Sequence, residues 1–282
     1  MYSLPTPIAT AADAYNAAVR TIKNTNQRAT YARAAPIIQA RCDAFDQLGA
    51  ELKFDDADVK NFKVPGLDLY TMAELYDKQF TNNGGTKAIR DSIKNAARIN
   101  LCPYCGVGSV AQLDHYLPKT KFAGTAVHPA NLVPACGDCN FAKLDYVPGV
   151  QAPAVLHPYF DTAFDMTWLS ANLKRSELGP PTMQFTVRLV QSDPGLEARL
   201  NAHMNIFKLR QRFSVWAAQS LNDFERSLQS EHTPTMTLHH ARDYLRHAAV
   251  HASGGRVNSW QGAAYKAMLD SDWYLTKYLN LD

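Results

Sequence analysis

The sequence predicts an α+β fold in which a mostly helical chain surrounds a short, cysteine-rich central block. Three observations favour this class. Apolar residues recur at helical spacing on both sides of the block, four of the five cysteines fall within residues 100–147, and residues 182–190 alternate between apolar and polar side chains. With 282 residues, 46% hydrophobic and 20% charged, the composition is that of a globular protein of one or two domains.

Residues 1–99 are predicted to form an N-terminal helical region. An acidic connection at 51–66 contains Pro65 and Gly66, and the run from Asn82 to Gly85 is a strong helix stop. The last helix of this region is basic and leads the chain to Cys102. The predicted helices cover residues 11–22, 32–48, 70–79 and 86–99.

Residues 151–282 are predicted to be mostly helical, with a small β element formed by Met166–Leu173 and Thr182–Val190. Asp193 and Pro194 are the residue types preferred at a helix N-cap and first position, so one long helix is predicted to run from there to Leu228. Two further helices are predicted at about 237–251 and 258–279.

Positive charge is concentrated around the central block. Residues 87–146 carry seven Lys or Arg and four Asp or Glu, a net of +3, whereas the flanking regions are nearly neutral. Such a surface favours a polyanion, although a few solvated lysines explain it equally well. The N-terminal sequence lacks an apolar signal and no stretch approaches the length of a membrane span, so we expect a cytoplasmic protein without a membrane partner.

Two CxxC pairs, Cys102–Cys105 and Cys136–Cys139, are separated by thirty residues. Each pair can place two thiolates on one side of a tight turn, and two pairs complete the tetrahedral shell that Zn²⁺ prefers. Gly106 and Gly137 suit close backbone turns next to sulfur. Four cysteines leave no open position for water, so this zinc is predicted to be structural. Cys42 stands apart and is predicted to be a buried, small apolar residue.

The segment between and after the pairs contains groups suited to phosphodiester hydrolysis. It reads LDHYLPK at 113–119 and NLVPACGDCNFAK at 131–143. Histidine is the natural base near neutral pH, and a carboxylate with an amide oxygen can hold a hard divalent cation. The lysines at 119 and 121 are either phosphate contacts or part of a solvated loop.

With its CPYC pair at 102–105, this block resembles HNH endonucleases of the ββα-metal class that carry a four-cysteine zinc site. The resemblance covers residues 100–150, the predicted nuclease module. It implies a first strand at 110–116, a loop at 117–130, a second strand at 131–135 and a helix at 137–146. The form DHYLPK followed by HPYFD is most similar to HNH proteins of bacterial anti-phage defence, such as the nuclease of the Septu system.

The resemblance also implies a role for each residue at a matching motif position. His115 would be the general base, and Asp114 and Asn140 would hold a catalytic Mg²⁺ or Mn²⁺. Asn131 would orient His115 through its backbone or ring, and Lys143 would face phosphate. The implied substrate is nucleic acid, with double-stranded DNA favoured, and a partner ATPase or sensor protein is a further expectation.

Two other classes of function remain open at this point. One is a zinc-dependent module that binds nucleic acid or assembles with other proteins but has no activity. The other is a hydrolase in which zinc itself is catalytic. His157, in the LHPYFD segment after the block, could fold back onto the site or serve only a structural role.

Overall fold

The computed structural model describes residues 1–149, 153–177, 179–228 and 237–281. The chain forms two compact units, one of Tyr2–Thr162 and one of Met1 with Ala163–Asp282. The boundary expected between residues 150 and 151 lies outside the described residues. The N-terminal helical region and the cysteine-rich block, which the sequence suggested as two domains, belong to the same unit.

The helices of the first unit agree with the sequence pattern except at their ends. The second helix begins earlier than predicted, at the Asn24 N-cap, because its first turn is polar and exposed and therefore shows no apolar periodicity. The third helix continues into a π-helical turn, Leu75–Phe80, which the sequence did not reveal. The helices are α1 (Ala11–Arg20), α2 (Thr25–Ala50), α3 (Leu69–Glu74) and α4 (Lys87–Asn95).

The cysteine-rich block forms the predicted hairpin and helix in shorter form. Strands β1 (Gln112–His115) and β2 (Leu132–Ala135) pair antiparallel, with His115 opposite Leu132, and helix α5 spans Gly137–Lys143. Leu113 and Leu132 are buried in the same apolar core as the N-terminal helices. A hairpin of two four-residue strands and a two-turn helix bury too little surface alone, which explains why the block shares that core.

In the second unit, the single long helix predicted after Pro194 is wrong. Lys208 adopts a left-handed backbone conformation, with φ of 52°, and separates two helices. Strands β3 and β4 pair antiparallel, and the Phe185 ring of β4 packs on the Phe213 ring at 5.4 Å. The elements are β3 (Leu169–Lys174), β4 (Thr182–Val187), α6 (Pro194–Ile206), α7 (Leu209–Leu228), α8 (Leu238–His251) and α9 (Trp260–Leu269).

Helices account for 56% and strands for 9% of the structure, and the two small sheets are separate from one another. The predicted α+β class is therefore confirmed. Among the described residues, every helix is too short or too polar to cross a lipid bilayer.

Candidate functional site

The four cysteines of the two CxxC pairs converge on one buried point. Their sulfur atoms all lie within 4.8 Å of one another. Cys102 and Cys105 precede β1, whereas Cys136 is the N-cap of α5 and accepts a hydrogen bond from the backbone N–H of Cys139. Four convergent thiol ligands fit a structural zinc ion, as the spacing predicts.

The backbone passes so close to the cysteine side chains that two positions require glycine. Gly106 has φ of 71°, which disfavours any side chain. A Cβ added to Gly108 would lie 2.7 Å from both the Cβ and the Sγ of Cys136. The expected need for glycine at position 137 is wrong, because a Cβ added there would meet open space. The tight turn is therefore confined to the first cysteine pair.

The thiols of the cluster and the isolated cysteine differ in their surroundings. Hydrogen bonding from Cys102, and then from Cys136 and Cys139, lowers the pKa of Cys105, whereas burial is the main cause that raises the pKa of Cys102. Burial likewise raises the pKa of the isolated Cys42 thiol. It is a small apolar residue of the core, as predicted.

Next to the zinc cluster lies a cavity of about 670 Å³. Asp114, His115 and Asn140, the three residues at the central positions of the motif, all border it. Helix α4 and the π-helical turn contribute the opposite walls through Arg90, Lys94 and Tyr76. The fold thus brings His115 and both expected cation ligands to one opening.

His115 is held in one tautomer by its surroundings. Its Nε2 lies 2.8 Å from the carbonyl oxygen of Ala126, which can only accept, so Nε2 carries the proton and Nδ1 has a free lone pair. The ring of Tyr76 meets the imidazole edge-on at 4.3 Å. Burial lowers the pKa of His115 to about 3, so the imidazole is neutral at physiological pH.

Asp114 is buried and has two partners. The Tyr104 hydroxyl donates to Oδ2 across 3.0 Å, and the ammonium of Lys143 lies 3.2 Å from each carboxylate oxygen. Burial raises the pKa of Asp114, and the contacts with Lys143 and Tyr104 oppose that shift. The carboxylate is therefore fixed in place while it borders the cavity.

The expectation that Lys143 faces phosphate is wrong. Its side chain is buried, and besides Asp114 it donates to the backbone oxygen of His115 at 2.5 Å. A buried carboxylate needs a compensating charge, and the last turn of α5 supplies it from directly beneath β1. Lys143 positions Asp114 and His115 from behind the cavity.

Asn140 is the least engaged residue of the motif. Its backbone belongs to α5, whereas its side-chain amide has no hydrogen-bond partner on the described part of the chain. Asn140 and Asp114 border the same cavity, and both side chains carry hard oxygen donors. Asp114 and Asn140 therefore fit a Mg²⁺ or Mn²⁺ ion by donor chemistry.

Asn131 is fully buried and acts on the loop after His115, not on the imidazole ring. Its Oδ1 accepts from the Leu117 N–H at 2.7 Å, and its Nδ2 donates to the carbonyl oxygens of Leu117 and Thr125. This closes the loop that presents Ala126 to His115. The Asn131 side chain thus positions His115 indirectly, through the loop backbone at Leu117 and Thr125. The Asn131 carbonyl oxygen accepts from the N–H of Tyr116, the residue that follows His115.

Three cations on the cavity wall come from α4, namely Lys87, Arg90 and Lys94. Lys94 donates to the Ala111 carbonyl oxygen, and Arg90 donates to the hydroxyl of Thr86 and to backbone oxygens. Within the described ranges, neither side chain is in a salt bridge with a carboxylate. By contrast, Lys87 pairs with Asp91 and Lys119 pairs with Asp77. Arg90 and Lys94 are therefore the wall cations available to a phosphate.

His157 does not line the cavity. Its ring is buried and stacks on Phe54 at 5.3 Å, with Tyr116 at 4.2 Å on another side. The HPYFD segment does fold back onto the hairpin, but through an aromatic cluster that includes Tyr116 and through the Tyr159 hydroxyl, which donates to the Leu132 carbonyl oxygen. Its role at this position is packing.

Sequence reasoning missed Tyr104 and Tyr76, which touch Asp114 and His115. Tyr104 lies between two zinc ligands and its burial could not be read from spacing, since a CxxC turn tolerates any residue inside it. Tyr76 reaches the site through a π-helical turn, and such turns have no marked sequence pattern. The basic character of residues 87–98 was the available signal for the α4 wall.

Comparison with known proteins gives one partial similarity. Protein ea31 of Escherichia phage lambda is 30% identical over 130 residues, which are 43% of this chain and 42% of that protein. The chain therefore spans less than half the length of this relative, whose name states no activity. No family model and no solved structure matches the chain.

Proposed function

We propose that this protein is a metal-dependent endonuclease of the HNH type that hydrolyses phosphodiester bonds, with double-stranded DNA as its substrate. One observation carries the proposal: Asp114, His115 and Asn140 border a single cavity beside a four-cysteine zinc cluster. A zinc-binding module without activity has no need to gather a base and two oxygen ligands at one opening.

In this proposal, His115 is the general base. A water molecule in the cavity gives its proton to Nδ1 while its oxygen attacks phosphorus. The bond from phosphorus to the 3′ oxygen breaks, and the leaving 3′ oxygen takes a proton from a second water molecule. The products carry 5′-phosphate and 3′-hydroxyl ends. Burial keeps the imidazole neutral, and a bound phosphate raises its basicity because nearby negative charge favours the protonated form.

Asp114 and Asn140 would hold the Mg²⁺ or Mn²⁺ ion, which supplies charge neutralisation at the phosphate and the leaving oxygen. Lys143 and Tyr104 keep the Asp114 carboxylate facing that position. Arg90 and Lys94 contact the phosphate backbone from the opposite wall. The reacting groups thus sit on rigid elements braced by zinc.

Nicking of supercoiled plasmid separates this proposal from the two alternatives. Wild type should nick in Mg²⁺ or Mn²⁺ and stop when EDTA removes them, and Asn140→Ala should retain zinc but lose nicking. Cys139→Ser should lose zinc. DNA binding without nicking in either metal would instead favour the inactive module, and loss of zinc from Asn140→Ala would favour catalytic zinc.

The proposed biological setting is anti-phage defence, in which a partner ATPase or sensor protein controls the nuclease. It is supported by the similarity of the DHYLPK and HPYFD segments to such proteins. Phage plating on cells that carry the wild-type chain with its neighbouring genes, compared with the Asn140→Ala variant, tests this role. Equal plating on both would contradict it.

A further inference from the structure

The chain makes an unusual turn immediately after α5. Lys143 to Tyr146 form a four-residue turn closed by a hydrogen bond from the Tyr146 N–H to the Lys143 carbonyl oxygen, 3.0 Å long. Leu144, the second residue, has φ of 44° and ψ of −129°. These angles are close to those of a type II′ turn, whose second position is dominated by glycine.

A leucine is strained in this conformation, and its packing does not compensate for the strain. The Leu144 side chain is 63% exposed, so little apolar surface is buried there. The turn is fixed from both sides, by the contact of Lys143 with Asp114 and by the Thr120 hydroxyl, which donates to Asp145 at 2.9 Å. The fold therefore holds an apolar side chain outward at a position where glycine would be easier.

Leu144 lies on the wall of the cavity that contains Asp114, His115 and Asn140. Its backbone N–H donates to the Asn140 carbonyl oxygen at 3.1 Å, so it directly follows the helical turn of an expected cation ligand. Phe141, also in this turn, is 73% exposed. Leu144 thus places a bare apolar side chain at the same cavity as the cations Arg90 and Lys94, which lie on its α4 wall.

We propose that Leu144 is an apolar wedge that inserts at a base step of duplex DNA next to the scissile phosphate. The inference rests on the proposed nuclease function. Cations on the α4 wall complement the phosphates, whereas an outward leucine at the same cavity complements the apolar faces of bases. Leucine is among the side chains that proteins insert between base steps.

Substitution by glycine tests the strain and the contact together. Leu144→Gly removes both, so it should raise the thermal midpoint while duplex binding weakens by roughly tenfold, the loss expected from one buried leucine side chain. Leu144→Ala removes the contact but keeps the strained backbone. Leu52→Gly is the matched control, because Leu52 is exposed, has φ of 54° and lies outside the cavity lining. It should gain stability with unchanged binding and nicking.

A duplex that contains 2-aminopurine reports the insertion directly. Bound to the slowly cleaving His115→Ala protein, the duplex should increase in fluorescence as the probe unstacks, and the added Leu144→Ala change should abolish that increase. If wild type nicks DNA, but the Leu144 variants nick equally fast and Leu144→Ala does not reduce the fluorescence increase, the wedge is refuted and the nuclease proposal stands. If wild type prefers single-stranded DNA or RNA, the duplex wedge is also refuted. If wild type neither binds nor cleaves nucleic acid, both proposals fail.

Discussion

The hydroxyl of Tyr104 donates a hydrogen bond to Oδ2 of Asp114 across 3.0 Å. Tyr104 lies inside the first zinc-binding pair, between Cys102 and Cys105, so this bond joins the zinc cluster to the expected cation ligand. The zinc site is therefore connected directly to the cavity. Any shift of the Cys102–Cys105 turn would move Tyr104, the hydrogen-bond donor to Asp114.

Tyr104→Phe should slow nicking by roughly tenfold while one zinc is retained. A hydrogen bond to a charged group contributes about 1.5 to 3 kcal/mol, and its loss frees Asp114 to move. Zinc content and single-turnover nicking rate measure the two effects. Tyr15→Phe is the control, since it removes an equally buried hydroxyl bond, to the Tyr31 carbonyl oxygen, away from the cavity. Equal slowing in both variants would show that the effect is general destabilisation.

Gly108→Ala should weaken zinc retention. The added methyl would lie 2.7 Å from the Cβ and Sγ of Cys136, which is closer than such contacts allow. Release of zinc to a chelator should therefore be faster than in wild type. Gly137→Ala adds the same methyl into open space within the same site and should release zinc at the wild-type rate. Similar rates of zinc release from both variants would contradict the conclusion that only Gly108 is closely packed against Cys136.

Lys143→Met should destabilise the first unit by about 3 to 5 kcal/mol, because it leaves the Asp114 carboxylate buried without its cation. Urea unfolding gives the loss. Adding Asp114→Asn should restore most of it, since the remaining amide carries no charge and can still accept from Tyr104. A double variant as unstable as the sum of the two single changes would show that the pair is not coupled.

Lys94→Ala should weaken DNA binding uniformly across sequences and reduce the salt slope of binding by about one. The reason is that Lys94 borders the cavity and has no carboxylate partner within the described ranges. Titration of binding against salt concentration measures the slope. Lys60→Ala removes an exposed lysine from outside the cavity and should leave the slope unchanged. An unchanged slope for Lys94→Ala would show that Lys94 does not contact DNA phosphate.

The sequence predicted those features that depend on local spacing. The spacing of the CxxC pairs is enough to predict a shared metal site, whereas the hairpin was expected from the resemblance of this block to HNH endonucleases. What it could not predict depends on contacts between distant segments. The burial of Lys143 against Asp114 arises because α5 packs under β1, and Tyr76 reaches His115 only through a π-helical turn. The break at Lys208 is likewise invisible, since apolar spacing continues across it.

The most direct test of the central claim is the nicking rate of the His115→Ala variant, loaded with zinc, beside wild type in the same Mg²⁺ buffer. If His115 is the base, the variant should bind DNA as tightly as wild type, keep its zinc, and nick at least about a hundredfold more slowly. Nicking at the wild-type rate by a zinc-loaded variant would contradict the assignment of this cavity as the active site.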